Sequence, residues 1–124
     1  MQSPGMKALA LLERWKRGEV KLVAPEFILV EMANILWKAE RSGRCTVSDA
    51  ISSLAQFRQQ ELRLVRASEL IDRALEVALF HRRTAYDSLY IALALESNAD
   101  LITADEKLAN AVAAHLPVKW LGAI

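Results

Sequence analysis

Three carboxylates stand where the hydrophobic pattern leaves little room for charge: Glu31, Asp87 and Asp105. At about 100° per residue along a helix, Phe27, Ile28, Asn34 and Ile35 all lie within about 60° of Glu31, whereas Glu26 and Glu40 fall on the opposite side. Glu31 therefore projects into an apolar sector, or else pairs with a basic neighbour such as Lys38. Asp87 lies in Thr84-Ala85-Tyr86-Asp87-Ser88-Leu89-Tyr90-Ile91-Ala92-Leu93-Ala94-Leu95, a segment apolar on nearly every side until Glu96. Such a helix is expected to be buried, and an ionised carboxylate there is unfavourable unless compensated. With Thr84 as the N-cap, Asp87 also falls at N3, where it favours the helix terminus. Asp105, in Leu101-Ile102-Thr103-Ala104-Asp105-Glu106, directly follows a strand pattern and opens a helix, the usual setting of an N-cap.

Each acid lies just beyond a predicted strand, at the carboxyl edge where open α/β sheets bind ligands. Two like charges about 4 Å apart repel by roughly 1 kcal/mol in water and about 4 kcal/mol at an effective dielectric near 20. Three together require protonation, basic partners or a cation, and all-oxygen donors suit Mg²⁺ or Mn²⁺ rather than zinc. An ion held so would polarise a phosphate and lower the pKa of a bound water for in-line attack.

The elements that must position these groups follow from hydrophobic period and punctuation. Met6 to Arg17 reads as a helix stopped by Gly18, Val20 to Ala24 as a short strand closed by Pro25, and Glu26 to Ser42 as a long helix ending at Gly43. Thr46 opens a helix to Gln59, with Thr46-x-x-Asp49 at capping-box spacing. Leu62 to Arg66 is strand-like, Ser68 caps a helix to His81, and Thr84 opens another to Ser97. Leu101 to Thr103 is a strand, Asp105 to Ala114 a helix and Val118 to Leu121 a last strand. Strands alternating with helices predict an α/β fold, a parallel sheet covered on both faces. No repeat or linker interrupts it, so 1–124 is expected to be one domain.

Bulk properties narrow the function classes. Of 124 residues, 53% are hydrophobic and 25% charged, enough to bury a core and too patterned for disorder. The single cysteine, Cys45, excludes an internal disulfide framework and fits a reducing compartment. Met1 to Met6 carries no basic segment followed by an apolar run, and no stretch approaches roughly 18 uninterrupted apolar residues; a cytoplasmic protein with no membrane span is expected. Net charge is +1, from 16 basic and 15 acidic residues, which argues against a broad duplex-binding face but leaves room for a local basic patch. His81-Arg82-Arg83 is such a patch: Arg82 and Arg83 could guide RNA phosphates, or only complement the end of their helix. His115 is expected at the surface. Trp15, Trp37 and Trp120 are expected in the core or at a dimer contact rather than as base-stacking platforms. The helices at 6–17 and 26–42 carry more apolar surface than one sheet face would cover, which suggests a groove for another chain.

The segment Ala24-Pro25-Glu26-Phe27-Ile28-Leu29-Val30-Glu31-Met32-Ala33-Asn34-Ile35-Leu36-Trp37 resembles the second block of PIN-domain toxins, the VapC-type ribonucleases, with Glu31 as its acid. Tyr86-Asp87-Ser88-Leu89-Tyr90-Ile91-Ala92-Leu93-Ala94 resembles the third block, and Leu101-Ile102-Thr103-Ala104-Asp105 the fourth, with Thr103 as a supporting hydroxyl. The order agrees across residues 6 to 124. The resemblance implies a PIN-like three-layer α/β/α fold with a short parallel sheet. It further implies an endoribonuclease using Mg²⁺ or Mn²⁺ at Glu31, Asp87 and Asp105, an RNA substrate, a homodimer and a small antitoxin of the VapB type. One departure is expected to matter. The family opens with a strand carrying a further aspartate, whereas here Met1 leads almost directly into the first helix. The reading is thus of an N-terminally truncated PIN-like domain, whose alternative role is that of a catalytically impaired interaction module for an antitoxin or for itself.

Overall fold

Punctuation residues set most of the helix ends in the computed structural model, which describes residues 4–124. Met1 to Ser3, and with them part of the reading of the extreme N-terminus, lie outside the described residues. The elements run α1 (Pro4–Lys16), β1 (Val23–Pro25), α2 (Ile28–Arg41), α3 (Val47–Arg58), β2 (Arg63–Val65), α4 (Ala67–His81), α5 (Ala85–Ser97), β3 (Leu101–Thr103), α6 (Glu106–Val112) and β4 (Val118–Trp120), followed by a 3₁₀ turn at Leu121–Ala123. This is the mixed α/β class expected from the alternating patterns.

Four helices close in the same way. An amide two or three residues past the helix end donates to the carbonyl five residues back: Glu19 to Arg14 after α1, Arg44 to Ala39 after α2, Arg83 to Ala78 after α4 and Ala99 to Ala94 after α5. Such a closure needs a left-handed residue between, because only that turn swings the amide back over the helix end. Gly18 (φ 75°), Gly43 (φ 76°) and Asn98 (φ 54°) supply it with residue types suited to positive φ. Arg82 (φ 53°) does so with a Cβ in the way.

Most boundaries differ from the sequence reading by one or two residues, and two of the differences have a clear local consequence. β1 begins at Val23 and includes Pro25, later than Val20 to Ala24; a proline at the strand's last residue sacrifices no ladder that continues beyond it, and Glu26 N–H reaches Val65 O at 2.7 Å just after. α4 begins at Ala67, so Ser68 sits inside the first turn and does not cap it.

The strands pair in parallel, as the crossover helices require. β1 pairs with β2 in the register Val23–Arg63, Ala24–Leu64 and Pro25–Val65, and β3 with β4 in the register Leu101–Val118, Ile102–Lys119 and Thr103–Trp120. The sheet expected as one piece is present as two two-stranded pairs. Each belongs to its own compact unit, one formed by residues up to Leu22 with Ser68–Ile124, the other by Val23–Ala67.

The first unit has a dense centre. Val77, Ile91, Leu108, Ala109, Val112 and Val118 form its core, with Leu95, Leu101, Leu116 and Trp120 packed against them. α5 is the buried helix its composition predicts, with Ser88, Leu89, Ile91, Ala92, Leu93 and Ala94 out of solvent. Burying a side chain such as Ile91 contributes about 1.5–3 kcal/mol. Lys7 Nζ donates to Gly122 O and so ties α1 to the 3₁₀ turn. The second unit buries Ala24 and Pro25 in β1, while α2 and α3 contain no buried residue. The excess apolar surface expected on α1 and α2 is present: Met6, Leu9, Leu12, Val30 and Ile35 are exposed. Trp37, expected in the core or a dimer contact, is outside the core at 53% exposure.

Candidate functional site

The first unit opens two consecutive helices with an aspartate. At α5, Thr84 adopts an extended N-cap conformation and its Oγ1 accepts from Asp87 N–H at 3.1 Å. The Asp87 carboxylate does not return a bond to the Thr84 amide. The same four-residue spacing at α3 behaves differently: Thr46 Oγ1 accepts from Asp49 N–H at 3.0 Å, and Asp49 Oδ2 accepts from Thr46 N–H at 3.1 Å, closing the full box. That second bond holds the Asp49 carboxyl below the usual carboxylate range. One chain thus contains a Thr-x-x-Asp whose carboxylate is engaged in capping and another whose carboxylate is not. Asp87 is half-buried and takes no part in either ion pair of the described residues.

Asp105 is the N-cap of α6. Its Oδ1 accepts from Leu108 N–H at 3.0 Å, and its own amide donates to Thr103 Oγ1 at 3.0 Å. Thr103, the last residue of β3, thus fixes the strand-to-helix turn with its hydroxyl rather than capping the helix itself. Capping engages Oδ1, leaving Oδ2 as a donor for another ligand. Asp87 thus lies in the first turn of α5, and Asp105 at the N-cap of α6.

Glu31 lies in the first turn of α2, half-buried, and belongs to the other unit. Glu31 and Asp105 lie just beyond a strand as the sequence reading required, with β1 leading to α2 and β3 to α6 through Thr103; Asp87 does not, because α5 follows helix α4 rather than a strand. Among the described residues no group of three or more His, Cys, Asp or Glu side chains stands close enough to hold a metal ion. The donor chemistry itself, carboxylate and hydroxyl oxygen, is of the hard kind that Mg²⁺ and Mn²⁺ select.

The basic residues flank the start of α5. Arg82 is exposed, and Arg83 is half-buried with a buried Nε that has no hydrogen-bond partner. Ser88, fully buried and adjacent to Asp87, likewise has an unpartnered Oγ. A buried hydroxyl left unpaired is unfavourable by about 1–3 kcal/mol. The sequence gives no sign of this, since a serine on an apolar helix reads as neutral. His115 is exposed, as expected, and no helix among the described residues is long and apolar enough to cross a membrane.

Comparison with known proteins agrees with this layout. The PIN-domain family model matches residues 5–113. Ribonuclease VapC3 of Pyrobaculum aerophilum is 34% identical over 82 residues, a match covering 64% of this chain and 63% of that protein, so the chain spans less than two thirds of the relative's length. The three acid-bearing segments at Glu31, Asp87 and Asp105 all fall inside the stretch matched by the family model. The chain belongs to the PIN-domain family.

Proposed function

We propose that the chain is a metal-dependent endoribonuclease of the toxin–antitoxin kind, hydrolysing RNA phosphodiester bonds. The observation that carries this reading is the Asp87 carboxylate, which the fold withholds from helix capping while closing the equivalent bond at Asp49. Asp87 and Asp105, and separately Glu31, are each proposed as oxygen donors to Mg²⁺ or Mn²⁺, with Thr103 keeping the Asp105 turn in place. When bound, the ion supplies charge neutralisation at the phosphate and a more acidic water. Arg82 and Arg83 would draw the RNA backbone toward α5 by charge. Membership of the PIN family and the likeness to a protein named as a ribonuclease support the substrate class.

The partners belong to the same proposal. α4 leaves Ile71, Leu75 and Leu79 exposed at successive four-residue steps, and α2 has no buried residue. Surface of that kind supports association with a second copy and with a small VapB-type antitoxin. The expected location is the cytoplasm.

The test is cleavage of single-stranded RNA with Mn²⁺. Wild-type protein is expected to cut, and Asp87→Asn and Glu31→Gln to lower the rate by at least about 100-fold, a loss of about 2.7 kcal/mol of transition-state stabilisation. Mn²⁺ should also raise the melting temperature of the wild type and not of Asp87→Asn. Absence of cleavage with partner binding that survives both substitutions would instead make the chain an interaction module.

A further inference from the structure

The second unit carries an exposed, cation-covered indole that lies apart from the proposed metal-holding acids in sequence. Trp37, on the outer face of α2, is 53% exposed, and the guanidinium of Arg41 lies 4.9 Å from its ring centroid. One helical turn separates the two, so the Arg41 side chain folds back over the indole. Lys38 and Arg44 are also exposed, and Arg44 Nε is steered by Ser42 Oγ at 2.9 Å. Gly43, at φ 76°, turns the chain so that Arg44 follows directly on the end of α2. None of Lys38, Arg41 or Arg44 enters an ion pair among the described residues. Lys38 and Arg41 lie in the last turn of α2 and Arg44 just beyond it, so three uncompensated cations gather at the helix end that carries the exposed indole, more than the dipole of one helix end needs.

We propose that Trp37 and Arg41 form a base-stacking platform for single-stranded RNA, with Lys38 and Arg44 holding the adjoining phosphates. A nucleobase offers a π-face to the indole or the guanidinium plane, and its phosphate offers the charge that all three basic residues lack. The complementarity selects a polyanion with aromatic faces over a purely apolar partner, for which exposed lysine and arginine would be a desolvation cost. This proposal rests on the ribonuclease reading for its substrate class, but it uses none of the proposed metal-holding residues.

The experiment measures binding of a fluorescein-labelled single-stranded oligoribonucleotide to the full chain in EDTA, where no metal-dependent cleavage can occur. Trp37→Ala is expected to weaken binding roughly tenfold or more, the scale of one lost base stack. Trp37→Phe should restore most of the affinity, and Arg41→Gln should weaken it and flatten its salt dependence. An abasic oligomer of the same length should bind weakly and be indifferent to Trp37→Ala. Circular dichroism melts confirm that each variant is folded. Unchanged RNA affinity in folded Trp37→Ala would overturn the platform, as would equal loss for the abasic oligomer. So would a change of oligomeric state in Trp37→Ala without loss of RNA binding, which would give the face to a second copy. Trp37-dependent binding without any Asp87-dependent cleavage would leave the platform standing and remove the nuclease reading alone.

Discussion

Asp105 performs two tasks that one substitution can separate. Its Oδ1 caps α6 through Leu108 N–H, and its negative charge is a proposed metal donor. Asparagine caps as well as aspartate, whereas alanine loses the bond and about 1 kcal/mol with it. Asp105→Asn is therefore expected to keep the wild-type denaturation midpoint while losing Mn²⁺-dependent cleavage, and Asp105→Ala to lose both. A fully active Asp105→Asn in chemical denaturation and cleavage assays run side by side would confine the residue to its cap. Ser88, next to Asp87 in sequence, and Arg83 pose the complementary case: their buried Oγ and Nε have no hydrogen-bond partner, an exception to the rule that buried polar atoms are paired.

At the scale of elements, α3 and α5 start with the same Thr-x-x-Asp signature and diverge in what the acid does. The closed box at α3 makes that helix start sensitive to acid. Asp49 titrates below its ordinary value because its ionised form accepts the Thr46 amide and hydroxyl bonds. The resulting stability is present at pH values above the unfolded carboxyl's, about 4, and is lost as pH falls through the lower folded value. Amide chemical shifts of Thr46 and Asp49 followed by NMR should report opening of the α3 start only below about pH 4. Asp49→Ala should abolish that transition. A midpoint above 4 would contradict the bond. Helix ends tell a similar story of like motif and unlike residue. Gly18, Gly43 and Asn98 meet the left-handed turn at little cost, and Arg82 meets it at about 1–2 kcal/mol. Arg82 bears that strain at the end of α4, two residues before the Thr84 cap of α5.

Across the whole molecule, apolar burial is uneven. The first unit has a contiguous core running from Val77 through Ile91 to Val118, while both helices of the second are without a buried residue. Local opening free energy follows buried apolar contact. Hydrogen exchange is expected to be slowest in α5 and at least about tenfold faster in α2 and α3, a difference of about 1.4 kcal/mol. Adding a binding partner that covers α2 should slow exchange there and leave α5 unchanged. Equal protection in both units of the free chain would refute this uneven picture.

The sequence by itself determined the element order, the parallel class of pairing and the candidate acids. These depend on local pattern: periodicity, caps such as Thr46, Thr84 and Asp105, and the terminators Gly18 and Gly43. It also carried the family, because three short acid-bearing segments in order are legible without coordinates. Tertiary structure decided what depends on side chains distant in the chain or on orientation within a turn. It divided the strands into two pairs, left Trp37 in solvent under Arg41, and closed the box at Asp49 but not at Asp87. No local pattern separates Thr46-x-x-Asp49 from Thr84-x-x-Asp87, since a carboxylate's rotamer answers to the packing around it. The sequence says where a charge sits along a helix; the surrounding fold determines whether its oxygen atoms are engaged.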